Sequence, residues 1–441
     1  MQLTLTLPKG HPASSPVTGI IQQAIDEVNN AGGGTLVLPP GQYLTGALVL
    51  PSNFCLHFEP GAALVASSQY EDYLAGETLS VAEQSNRALI YARNQHNISL
   101  TGQGRIDGNA DAWFSATKDA MGYRMPAQER PRIIVFEGCN NVRLQSVRVH
   151  NAPMWTVHLV ACEQVFISQV VVDNDMTMAN TDALDIDSCR YVHISDSHFS
   201  AADDGICLKT TRKPAPLAGP TQHVTISGCT LRSASSAFKI GTETVDDIED
   251  IVMTGCTIYD SNRGIGIISR DGGALRRLRF SDITFNCHHA NPCHWGRADP
   301  VFISCRTRDP KVPPGTISQV SFNGISGTAE GAINLHSEHP GGIAWVRLSQ
   351  VQLCQVACGD PQQGSYDIRP PCNPERPTGT GLDNAFLINP ASGEPWGVER
   401  YPGGMPAIYA TGVLHLALDN LSIERPHPLP AGWHPQAVIQ S

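Results

Sequence analysis

The chain has little charge. Asp, Glu, Lys and Arg make up 16% of its 441 residues, and acids outnumber bases by 41 to 30. The resulting net charge of −11 gives no electrostatic support to a general nucleic-acid-binding role. No apolar run reaches the 18 residues or so of a membrane-spanning helix, so no membrane partner is expected. The opening MQLTLTLPKG lacks the long apolar stretch of a secretory leader. Beyond residue 30 there is no helix-length amphipathic segment between the strand-like runs, which excludes βαβ crossovers and leucine-rich repeats.

What is present is a 41% hydrophobic chain with 40 glycines and 32 prolines, a composition that buries a large core between many turns and excludes bulk disorder. Thirteen cysteines are an odd number, so at least one lies outside any intramolecular disulfide. Cys139, Cys162 and Cys189 open the similar segments CNNVRL, CEQVFI and CRYVHI, and Cys229 and Cys256 recur in ISGCTL and MTGCTI. Repetition of this kind suggests stacked, reduced thiols packing as small hydrophobes. A cytoplasmic protein is therefore expected, or a secreted or periplasmic one had a leader been removed.

A short pattern, apolar-x-apolar-x-x-apolar, recurs from Ile98 through Val142, Val165, Val192, Val224, Ile251, Leu278, Val320, Val346 and Leu416. Five intervals of 23, 26, 27, 27 and 27 residues are near-constant, and those of 32, 42, 44 and 70 are one coil plus inserted loops. Such a period predicts a solenoid. The fold expected is all-β, a single-stranded right-handed parallel β-helix with a short N-terminal capping helix, its strands stacked about 4.8 Å apart. One domain would run over residues 1–441, with a cap region at 1–40 and an excursion rich in Pro and Gly at 359–410. The helix is expected in GIIQQAIDEVNN, residues 19–30, stopped by Ala31-Gly32-Gly33-Gly34.

Alternation then sorts side chains into inward and outward columns. His158, Asp185, Cys207, Lys239 and Gly266 form one outward column, and Asp187, Lys209, Gly241 and Ile268 a second. At the preceding turns lie Asp182 and the pair Asp203-Asp204, 21 and 22 residues on, or about one coil. Carboxylates gathered in this way raise one another's pKa, which sets a protonated acid beside an ionised base, as glycosidic cleavage requires. Each aspartate alone is more simply a turn residue; two sets on adjacent coils beside His158 and two lysines favour chemistry.

These motifs, Asn180-Thr181-Asp182-Ala183-Leu184-Asp185 and Ala202-Asp203-Asp204-Gly205, together with GGGTLVLPPGQYLTGAL, LTGQGRIDGN, RPRIIVFEGCNNVRL and NAPMWTVH, resemble glycoside hydrolase family 28, the polygalacturonase and rhamnogalacturonase group of pectin-degrading β-helices. The resemblance covers most of the chain. It implies an inverting hydrolase of a carbohydrate substrate, without cofactor, in which Asp203 protonates the leaving oxygen and Asp182 and Asp204 activate water. Two departures stand out. The family's Gly-His-Gly corresponds to Ser235-Ser236-Ala237, and its carboxylate-gripping Arg-Ile-Lys to Gly266-Ile267-Ile268. Substrate contacts are expected from His158, Asp185, Lys209, Lys239 and Arg270, the last three as replacement cations, and from Trp155 and Trp295 as walls against a sugar ring. A neutral or differently linked sugar, as in a rhamnogalacturonan-type fragment, is the expected substrate. Insertions near 104–130, 286–300 and 359–410 would wall off one end of a cleft and favour removal of terminal sugars.

Two other readings use the same fold. A polysaccharide lyase or epimerase would need a cation or Ca²⁺ beside the abstracted proton, and a non-catalytic glycan-binding β-helix would tolerate the lost histidine and arginine. The run CHHANPCH, Cys287 to His294, has conceivable zinc spacing but no second Cys/His pair, and no metal is expected.

Overall fold

A computed structural model describes residues 1–8, 14–119, 122–127, 129–290, 294–313, 315–359, 363–370, 372, 375 and 387–441. The chain forms two compact units, one of residues 1–119, 123–202 and 213–224, the other of residues 120–122, 203–212 and 225–441.

In the first unit the helix Thr18–Asn30 buries Ile21, Ala24, Ile25 and Val28, a single stripe at helical spacing. Gln22 ties it to the first coil, accepting from the Val49 N–H at 2.9 Å and donating to the Val49 carbonyl at 3.2 Å. Parallel ladders follow. Ile98 is in register with Val142, Val142 with Val165 and Val165 with Val192, the column expected from the repeat. A second ladder runs through Ser85–Arg93, Arg132–Glu137, Val157–Val160 and Leu184–Asp187, stacking Ile90, Ile134, Val157 and Leu184 in register. None of these four is more than 1% exposed, and each contributes roughly 1.5–3 kcal/mol by leaving water. Where the chain turns into each coil, Asn53, Asn97 and Asn141 adopt positive φ of 54–58°. Their amides form a ladder at 2.7 and 2.8 Å, which explains the recurring Asn ahead of the apolar pattern. Cys139, Cys162 and Cys189 are buried free thiols, with the Sγ of Cys162 and Cys189 turned to the carbonyls of Phe136 and Leu159 at 3.3 and 3.2 Å.

The second unit repeats the scheme. Ile251, Leu278, Val320, Val346 and Leu416 stack in register. The facing ladder contains Ile206–Thr210, Ser236–Thr244, Arg263–Ser269, Val301–Cys305, Ile333–Ser337 and Ile408–Thr411, with Ile206, Phe238, Ile265 and Val301 inward and in register. A strand Ser365–Asp367 leaves the coil and pairs antiparallel with Val398–Arg400. Tyr366, Ile368, Tyr401 and Trp433 form one apolar cluster with Ile268 and Phe302, whose side chains face away from the coil interior.

Candidate active site

In the first unit Asp182 sits at the entry to Leu184–Asp187 and is 2% exposed. Its loop is anchored from behind. The buried Arg130 guanidinium donates to the Asn180 Oδ1 at 3.0 Å and to the carbonyls of Pro153 and Ala179. Asn174 donates to the Thr181 carbonyl at 3.0 Å, and the Asp182 carbonyl accepts the Thr156 N–H at 2.8 Å. His158 is in register with Asp185, and both are covered, at 1% and 0% exposure. Arg132 donates to the His158 Nδ1 at 2.7 Å, which leaves the Nε2 proton to face Asp187 Oδ2 at 3.3 Å. Lys213 closes the other side of Asp187 at 2.6 Å. Burial alone would raise the Asp187 pKa; His158 and Lys213 outweigh it and hold the carboxyl far below its usual range. The expected sugar contact by His158 is therefore corrected: outward alternation placed it off the core, but Arg132, Asp187 and the edge-on Trp155 ring at 4.9 Å enclose it. Trp155, 7% exposed, packs with Ala82 and Met154 rather than standing as an open wall.

In the second unit the Asp203-Asp204-Gly205 turn precedes Ile206–Thr210. The Asp203 carbonyl accepts from the Ser233 Oγ at 2.5 Å, and the Gly205 N–H donates to the Ser236 carbonyl at 2.9 Å. A side chain at Gly205 would place its Cβ 2.4 Å from the Ala237 carbonyl oxygen, so the turn requires glycine for close approach. The two carboxylates differ. Asp203 is partly exposed. Asp204 is 1% exposed and ion-paired with the Lys239 ammonium at 2.6 Å, with Ser235 Oγ 3.3 Å from its other oxygen. Burial pulls the Lys239 pKa down, and Asp204 more than offsets it, so the ammonium is held above its usual range. The Lys239 Nζ also lies 5.3 Å from the centroid of the Trp295 ring, so Trp295, Lys239 and Asp204 form one group. Cys207, Lys239 and Gly266 are in register, as the alternation implied.

Two expectations fail here. Arg270 is no cleft cation. It is 0% exposed and donates to the carbonyls of Pro370, Ile368, Ser269 and Ser304, pinning the excursion to the coil. The second column also breaks, because the pairing of Ile206–Thr210 with Ser236–Thr244 shifts register between Leu208 and Thr210. This bulge brings Glu243, which the alternation did not single out, into the electrostatic reach of Lys209 and Arg308. In the CHHANPCH run Cys293 lies outside the described residues. His288 meets Asp260 Oδ1 at 2.5 Å and His289 meets Arg297 at 2.6 Å.

Parallel ladders with aspartates at the strand entries are the layout of a β-helix. The sequence pattern of Glycosyl hydrolases family 28 matches residues 62–356, and the chain belongs to that family. It is 25% identical over 365 residues to an endo-polygalacturonase of Pectobacterium carotovorum, covering 77% of this chain and 85% of that protein. Endo-xylogalacturonan hydrolase A of Aspergillus tubingensis is 28% identical over 291 residues, 63% of this chain and 65% of that one. A probable polygalacturonase of Vitis vinifera is 26% identical over 264 residues, 57% of this chain, and the chain spans only 53% of that protein's length. Among solved structures, the exopolygalacturonase of Thermotoga maritima superposes with a TM-score of 0.66 at 21% identity, covering 81% of this chain and 87% of that one. The Yersinia enterocolitica family 28 exopolygalacturonase gives 0.68 at 17% identity, covering 100% and 78%. This likeness shows the fold, a right-handed parallel β-helix.

Proposed function

We propose that the chain is an inverting glycosidase of a pectin-related glycan, with Asp203 as general acid and Asp182 and Asp204 activating water. The reading is of one domain over residues 1–441, its three aspartates drawn from two motifs 21 and 22 residues apart in the sequence. Its support is the spacing of about one coil between the two motifs and membership of the family. The observation that carries it is the contrast within one turn. An ion pair with Lys239 requires Asp204 as the anion, which suits a base, while the neighbouring Asp203 is partly open to solvent. Two carboxyls in unlike surroundings are what acid and base roles need.

The sugar at the cleavage point is, on this proposal, neutral or differently linked, as in a rhamnogalacturonan-type fragment. Cations of the second unit support it by being engaged: Lys239 with Asp204, Arg270 with four carbonyls, and Arg263 against the Phe302 ring at 3.9 Å and Asp299 at 3.5 Å. Where a uronate would need a cation, Ile268 lies under aromatic rings. The same cover supports attack on chain ends. The stacked thiols support a reducing, cytoplasmic setting. Side-by-side kinetics on polygalacturonan and rhamnose-containing oligosaccharides test the substrate claim. Preference for the latter is expected; efficient release of galacturonic acid from the homopolymer would refute it.

A further inference from the structure

Glu243 lies on the strand that carries Lys239, four residues further on, where the bulge against Ile206–Thr210 re-aims the side chain. Gly241 makes the bulge possible: its φ is +93°, and a Cβ there would sit 2.0 Å from the Ile268 carbonyl oxygen. The Glu243 side chain is 22% exposed, whereas those of Arg308 and Lys239 are 6% and 4% exposed. Its Oε1 accepts from the Thr242 Oγ1 at 2.9 Å and from Arg308 at 3.5 Å. No group among the described residues donates to Oε2. Arg308 also faces Asp271 at 3.3 Å and retains a buried Nη2 with no hydrogen-bond partner among the described residues. Burial would push the Glu243 carboxyl up, but Lys209, Arg308 and Lys239 outweigh it and hold it at about 2, so it is an anion throughout the physiological range.

We infer that Glu243 is a specificity-determining residue of the sugar site: its unshared oxygen accepts hydroxyls of a neutral sugar, while its charge occupies the cations that a uronate carboxylate would otherwise use. The inference rests on the glycosidase reading above and names how the site rejects acidic sugars. An anion beside Arg308 cancels its attraction for a second carboxylate, and a carboxylate acceptor pairs well with sugar hydroxyls. The neutral isostere keeps the volume, removes the charge and leaves one neutral, weaker acceptor oxygen in place of two anionic ones.

The test measures calorimetric binding to an Asp203→Asn protein, with and without Glu243→Gln, of trigalacturonate and of its carboxyl-reduced, neutral counterpart. Thermal melts check that both proteins are folded. The Asp203→Asn protein is expected to favour the neutral trisaccharide, and adding Glu243→Gln should shift the affinity ratio towards the acidic one by about tenfold or more, some 1.4 kcal/mol. An unchanged ratio in a folded protein would overturn the inference and leave the glycosidase reading standing. Binding of neither trisaccharide would overturn that reading, and the inference with it.

Discussion

The two units place similar charged groups on the outward side of similar ladders and use them differently. In the first, Arg132, His158, Asp187 and Lys213 form a chain in which no side chain is more than 1% exposed. In the second, the Asp204–Lys239 pair is equally close, but the partly open Asp203 and Glu243 border it. A closed network fixes the position of what is built upon it, here the strand leading from Asp182. An open one retains acceptors for a ligand. Neither residue type nor burial alone separates scaffold from chemistry, since Asp182 and Asp204, at 2% and 1% exposure, are as buried as the charges of the closed network; what differs is the partly open carboxylates beside the second pair.

The largest effect should come from the open side. Asp203→Asn is expected to lower kcat by about 10²- to 10⁴-fold with the fold intact by circular dichroism; near-normal turnover would remove the aspartate from the acid role. On the closed side the loss should be of stability. Lys213→Met leaves Asp187 buried with less compensation, and urea unfolding should show a cost of about 3–5 kcal/mol. A variant as stable as the parent would break the contrast.

A smaller effect sharpens it by pH. His294, 4% exposed, is pushed down to about 3, first by burial and then by Arg369. Because the folded value lies below the unfolded one of about 6.5, the unfolded state binds more protons between these limits. The stabilisation from a neutral His294 is complete above about pH 6.5 and declines as pH falls towards 3. Between pH 7 and pH 5 this one group should cost about 2 kcal/mol of unfolding free energy. His294→Asn should reduce the measured pH dependence by that amount, and an unaltered dependence would show that the histidine protonates without unfolding.

The ladders were legible because period-two alternation and near-constant intervals are local properties: the Ile98 to Val192 column is in register as read. The Asp-Asp-Gly turn was legible for the same reason. Alternation tells which side of a strand a residue occupies, not what covers it. Arg270 looked like a cleft cation until the excursion supplied carbonyls from Ile368 and Pro370, about 100 positions away in the chain. His158 was enclosed by Arg132, 26 residues before it. Glu243 is not singled out by the alternation because two extra residues enter between Ile240 and Thr244 where the partner strand has only Leu208 to Thr210, so the position-by-position columns end there; Gly241, placed in an outward column, is the one local sign of it.

The central claim is that two carboxylates flank a water and that cleavage inverts the anomeric centre. Proton NMR of the first-formed product, recorded before mutarotation, tests it most directly. The account predicts a product of configuration opposite to that of the bond cleaved; a first-formed product of retained configuration would contradict it.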